Sequence, residues 1–192
     1  TGISLAGDNY TYQNPLNSTS HARWEWHGCP CCPPMFLKFM GAMPENIYSH
    51  RGDEIYVNLY AGSNATMPIG STEVKLTQTT SYPFKEDVKL EVNPEKKSKF
   101  ALKLRIPGWA RSQENPYGLY TSTASSPISI SVNGKKIDTT VTDGYAVIER
   151  KWKKGDVVNL ELPMQPRFIT AHPEVKDLSG QVAIAYGPMV YC

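Results

Sequence analysis

From Asp53 almost to its end the chain alternates apolar and polar residues with a period of two, the pattern of strands that bury one face. Eight segments carry it: Glu54 to Tyr60, Glu73 to Thr80, Asp87 to Val92, Phe100 to Ile106, Ile128 to Val132, Tyr145 to Glu149, Val157 to Leu162 and Gln181 to Tyr186. Turn residues punctuate them. Asn133-Gly134 lies between alternating runs and signals a hairpin, because both central residues of the tightest hairpin turn need positive φ; Asp143-Gly144 and Gly155-Asp156 mark further breaks. Ahead of the strands the period changes. Pro33-Pro34 can open a helix, and Met35, Phe36, Phe39, Met40 and Met43 recur at helical spacing up to Met43-Pro44. That Met and Phe stripe is expected to pack as core.

Two stretches have no period. Thr1 to Pro30 is rich in Gly, Asn, Ser, Thr and Trp and reads as a loop-rich segment docked onto something else, and Ala110 to Pro127 reads as an exposed loop. The expected fold is therefore mainly β: an antiparallel β-sandwich, jelly-roll-like, preceded by a loop-rich segment and one α-helix. A lone helix cannot bury both flanks against a sandwich and also account for the unpatterned residues before it. Residues 1–52 are accordingly expected to be the end of a larger helical domain and residues 53–192 the β-sandwich domain.

Composition narrows the class. A length of 192 residues suits one domain with a full hydrophobic core, or one domain plus a fragment of a neighbour. Hydrophobic residues at 40% and charged residues at 20% exclude a disordered chain. The formal charge is only +2, and the densest basic runs, Lys96-Lys97-Ser98-Lys99 and Lys151-Trp152-Lys153-Lys154, sit beside turn signals, so they read as solvated strand ends and not as a nucleic-acid surface. No apolar run approaches the roughly 18–20 residues of a membrane helix. The chain begins at Thr1 without a leader pattern, so any targeting signal is removed or outside this sequence; the expected compartment is a bacterial cytoplasm or periplasm.

The chemically loaded feature is Cys29-Pro30-Cys31-Cys32, which holds three of the four cysteines. A disulfide framework would spread its cysteines, and neighbours such as Cys31 and Cys32 rarely bond to each other because the ring strains the peptide between them. Adjacent thiolates can instead converge on one soft metal ion, with His27 and Cys29 as further local donors. Spacing alone leaves three readings open: a metal site, a redox or nucleophilic thiol, and buried inert cysteines. Either of the first two supplies a thiolate nucleophile. His21, His50 and His172 have no ligand spacing with one another, and Trp109 reads as a packed turn residue. Glu25, flanked by Trp24 and Trp26, reads as structural, and the two tryptophans as packing at a domain junction.

One resemblance draws these residues together. The run His27-Gly28-Cys29-Pro30-Cys31-Cys32-Pro33-Pro34 followed by a helix, then Ile47-Tyr48-Ser49, Tyr56-Val57-Asn58-Leu59-Tyr60, Leu104-Arg105-Ile106-Pro107-Gly108-Trp109 and Gly187-Pro188-Met189-Val190-Tyr191-Cys192, resembles glycoside hydrolase family 127, the β-L-arabinofuranosidases. The resemblance runs in order from about Asn14 to Cys192. It implies an (α/α)6-barrel catalytic domain whose last helix lies within residues 1–52, with the sandwich behind it. It further implies that Cys31 is the nucleophile, that Cys31 and Cys32 bind Zn2+, and that β-L-arabinofuranosides or related plant-glycan sugars are hydrolysed with retention. The family's acid/base glutamate and its remaining zinc ligands fall upstream of this sequence, so the chain alone is expected to be inactive. Met35 stands where the family commonly has asparagine. The expected partners are a carbohydrate substrate, an upstream barrel domain and, through the apolar helix face, a second copy of the chain. The competing expectation is a non-catalytic carbohydrate-binding or structural sandwich.

Overall fold

The computed structural model describes residues 2, 3, 6, 8, 10, 11, 31–115, 117–123 and 126–191. They divide into two compact units, residues 1–46 and residues 47–191. In the first, β1 (Gly2–Ile3) pairs antiparallel with β2 (Tyr10–Thr11). The helix α1 spans Cys32–Ala42 and runs into a 3-10 turn, Met43–Asn46. Pro33 and Pro34 fall in its opening turn, where an N–H would lack an intrahelical partner in any case. The apolar stripe does not form a core: no residue of α1 is buried, and Met35, Leu37, Phe39 and Met40 are all exposed. Helical spacing gathers apolar groups on one side of a helix, but it cannot supply the surface that would cover them.

The second unit is the expected sandwich. Its strands are β3 (Tyr48–Arg51), β4 (Glu54–Val57), β5 (Ser63–Ile69), β6 (Thr72–Thr80), β7 (Asp87–Pro94), β8 (Ser98–Arg105), β9 (Tyr120–Ser122), β10 (Ser129–Val132), β11 (Lys135–Lys136), β12 (Val141–Thr142), β13 (Tyr145–Trp152), β14 (Asp156–Glu161), β15 (Pro166–Ala171), β16 (Ala183–Tyr186) and β17 (Met189–Tyr191). One sheet has the order β11-β10-β14-β7-β6-β5, a second β12-β13-β8-β4-β3, and a smaller third β17-β16-β15-β9. All eight segments read from the sequence are strands, with ends shifted by a few residues.

The first two sheets enclose one core. Val74, Leu76, Val88, Leu90, Val92, Val158 and Leu160 of the six-stranded sheet meet Ile55, Val57, Leu102, Leu104, Ala146 and Ile148 of the five-stranded sheet. Trp152 fills one end, its ring stacked on Phe100 at 5.7 Å and its Nε1 donating to the Phe100 carbonyl at 3.0 Å. One pairing departs from the antiparallel rule: β4 and β8 run parallel. The chain leaves β4 for the other sheet, reverses through β5, β6 and β7, and returns to β8. Four reversals restore the original direction.

Irregularity between 110 and 127 hides structure that the loop reading missed. A 3-10 turn, Gly108–Arg111, precedes it, and β9 within it pairs with β15. Trp109 is a packed turn residue as expected, buried, with Nε1 donating to Tyr82 Oη at 3.2 Å. Behind it Arg167, 2% exposed, is paired with Glu114 and donates through Nη2 to the Gly187 carbonyl at 2.7 Å.

The hairpin signals hold in detail. Asn133 and Gly134 have φ of 52° and 77° and join β10 to β11, and Asp143 and Gly144, with φ of 51° and 83°, join β12 to β13. Gly134→Ala is expected to cost about 1 kcal/mol, read as a lower urea midpoint at unchanged slope, because a Cβ disfavours the left-handed region. An unchanged midpoint would show that this turn does not need the glycine.

Candidate active site

The site is built on the start of α1. Cys31 precedes the helix with helical backbone angles, φ −68° and ψ −36°, and Cys32 is its first residue. This places both side chains beside the positive end of the helix dipole, where negative charge is favoured. No acidic residue occupies the first turn to compete for that field. Cys31 is exposed and Cys32 half-buried, so the reading of buried, inert cysteines does not fit.

The two sulfurs stand 3.7 Å apart. A disulfide would need about 2.05 Å. Two thiolates on one tetrahedral zinc, each about 2.3 Å from the metal, lie about 3.8 Å from each other. The pair thus fits one edge of a zinc tetrahedron with little rearrangement. It is an edge only, since among the described residues no three His, Cys, Asp or Glu side chains converge on a common point. His27 and Cys29, the suggested local donors, and His21, Trp24, Glu25, Trp26 and Cys192 lie outside the described residues.

The other candidates stand apart. His50 on β3 is exposed, and so is His172 after β15, whose Nδ1 accepts the Glu174 backbone N–H at 3.3 Å. A cavity of about 410 Å³ lies beside His172, lined also by Thr170, Val175, Leu178, Ser179 and Gln181, with no Cys, Asp or Glu in its wall. The sequence reading missed a network on the outer face of the five-stranded sheet. Lys103 Nζ lies 2.6 Å from Glu54 and donates to Tyr56 Oη at 3.1 Å, while Tyr56 donates to Glu54 at 2.5 Å. Tyr145 meets Tyr56 edge-on at 5.4 Å and donates to Asn58 at 2.8 Å. The hydrogen bonds from Lys103 and then Tyr56 hold the Glu54 carboxyl below the usual range. Its signal was present as polar residues alternating with apolar ones, Glu54 and Tyr56 on β4 and Lys99, Lys103 and Arg105 on β8, but pairing those positions required the parallel register.

Comparison with known proteins gives the site its context. Residues 54–164 match the model of the GH127 β-L-arabinofuranosidase middle domain, residues 1–45 that of the GH127 catalytic domain, and residues 166–192 that of the family 127 C-terminal domain. The chain is 31% identical over its whole length to a non-reducing end β-L-arabinofuranosidase of Bifidobacterium longum subsp. longum, spanning 29% of that protein. A solved GH127 β-arabinofuranosidase superposes on 98% of the chain with a TM-score of 0.88 at 39% identity. A GH127 β-L-arabinofuranosidase from Geobacillus stearothermophilus T6 does so with a TM-score of 0.83 at 34% identity. In each solved case the chain spans 30% of the relative. Cys31 and Cys32 fall in the segment that matches the catalytic-domain model, β4 to β14 in the segment that matches the middle domain, and β15 to β17 in the segment that matches the C-terminal domain.

Proposed function

The chain belongs to glycoside hydrolase family 127, and from that premise we propose that it supplies the nucleophile of a zinc-dependent retaining hydrolase acting on β-L-arabinofuranosides or related plant-glycan sugars. The observation that carries this reading is the vicinal pair at the start of α1, with sulfurs 3.7 Å apart and Cys31 exposed. Residues 1–52 would supply the end of an (α/α)6-barrel, and residues 53–192 the β-sandwich domain that follows it in sequence.

In the proposed reaction the Cys31 thiolate attacks the anomeric carbon. The bond from that carbon to the leaving oxygen breaks as a general acid protonates the oxygen. Water, giving a proton to the conjugate base of that acid, then displaces the sulfur and Cys31 departs again as thiolate, so two inversions give net retention. Cys31 and Cys32 would hold Zn2+, whose charge keeps bound sulfur deprotonated at neutral pH. Within this scheme Cys32 fixes the direction of its neighbour, and the helix N-terminus favours the anionic sulfur before attack and after release. The proton donor and the remaining zinc ligands are assigned outside this sequence. The chain alone is therefore expected to leave an aryl β-L-arabinofuranoside intact, and turnover by it would refute that assignment.

Metal analysis tests the ligand pair separately from catalysis. The intact family-length enzyme is expected to carry about one zinc per chain. Cys32→Ser should lower zinc content well below stoichiometry with the fold kept, as read by circular dichroism. Full zinc occupancy in Cys32→Ser would remove Cys32 from the site.

A further inference from the structure

The sandwich gathers its positive charge at one end. Lys99 on β8 lies directly opposite Lys151 on β13, and Ser98 opposite Trp152, so Lys96 and Lys97 run beside Lys153 and Lys154 as both connections cross between the sheets. The β10–β11 turn joins them, with Asn133 N–H donating to the Val157 carbonyl at 2.8 Å, and it brings Lys135 and Lys136. All eight lysines are exposed. Of these eight, only Lys99 is ion-paired with a described residue, Glu149.

Across residues 95–99, 133–136 and 149–156, nine lysines and arginines stand against three acidic residues, or five with the bordering Asp53 and Glu73. The whole chain carries only +2, so the rest of it is net acidic. The acidic residue at the centre of this end is turned inward. Asp156 is fully buried, accepting from Asn133 Nδ2 and from the Lys153 backbone N–H, each at 2.9 Å. The Gly155 N–H is held by Asn93 Oδ1 at 2.9 Å. These bonds fix the turns that carry the lysines. Like charges facing each other across a ladder, as at Lys99 and Lys151, cost stability, and the arrangement retains them.

We infer that this end of the sandwich binds a polyanionic glycan through its carboxylates, such as a uronate-bearing stretch of polysaccharide. Arg150, whose fork would suit phosphate and carboxylate alike, is turned onto the Trp152 ring at 5.2 Å, so the cations presented are lysines. One observation sets the ligand apart from a single-stranded nucleic acid. The one aromatic residue in these three segments, Trp152, is fully buried, so no ring is presented for base stacking. The inference is independent of the cysteine chemistry, because it rests on the lysine-bearing turns of the sandwich alone.

The test is affinity electrophoresis of the protein in gels containing polygalacturonate, the same polymer methyl-esterified, or neutral arabinan. Retardation is expected with polygalacturonate alone and should fade as salt rises. Lys97→Glu combined with Lys153→Glu should weaken the apparent affinity by about tenfold or more. Lys135→Glu combined with Lys136→Glu, on a different turn, should weaken it in the same direction, while hydrolysis of a neutral aryl arabinofuranoside by the family-length enzyme stays unchanged. Equal retardation by the esterified polymer, wild-type retention in both double variants, or displacement by a single-stranded oligonucleotide at equal charge would each overturn the assignment, the last in favour of nucleic acid.

Discussion

Cys31→Ala is expected to abolish hydrolysis of an aryl β-L-arabinofuranoside by the intact family-length enzyme, lowering kcat by roughly 10^4-fold or more. A methyl group cannot form the covalent bond to the anomeric carbon, and no described side chain stands ready to replace the sulfur: Cys32 is half-buried and no third His, Cys, Asp or Glu converges on the pair. The loss should fall on kcat, since a nucleophile acts in the transition state and contributes little to ground-state binding. A purely structural role would also reduce activity, so a second readout is needed. Added azide should restore partial turnover to Cys31→Ala and give a product of inverted configuration, because one displacement replaces two. Wild-type turnover in Cys31→Ala, or azide rescue with retention, would end the nucleophile assignment.

The parts of this site that could be read from the sequence are those that are local in it. Adjacency of Cys31 and Cys32, and the prolines that open α1 behind them, are properties of four consecutive residues. A donor set that would complete a tetrahedron is not legible in that way, and among the described residues none converges on the pair. The same division governs the fold. Strands with a clean period, such as β6 and β7, were legible because alternate residues are buried in the core. β5 was not: it contains Asn64 and Pro68, yet it lies at the edge of its sheet, where a missing N–H costs no ladder bond on the solvent side. β9 and β11 are only three and two residues long, too short to show a period. The two lysine runs were each legible as strand ends, but their convergence was not, because register places Lys99 beside Lys151 across 52 residues of chain.

Core energetics lead to the second large effect. Trp152→Ala is expected to destabilise the sandwich by about 4 kcal/mol, a large share of the roughly 5–15 kcal/mol that holds a domain of this kind folded. The residue is fully buried, and three contacts depend on it: the stack on Phe100, the hydrogen bond from Nε1 to the Phe100 carbonyl, and the guanidinium of Arg150 over the ring. Truncation leaves a cavity where β13 delivers the chain to the turn before β14, and it leaves the Phe100 carbonyl without its indole donor. Trp152→Phe keeps most of the apolar volume and loses the N–H, so it should cost clearly less, which separates the packing contribution from the hydrogen bond. Thermal unfolding reads both: roughly a 10 °C fall in Tm for alanine, and a markedly smaller one for phenylalanine. Equal losses for the two would mean that the indole hydrogen bond outweighs the ring's packing. A negligible loss for alanine would mean that this end of the core closes without its largest side chain, and that the lysine-bearing turns above it are held by Asp156 and Asn133 alone.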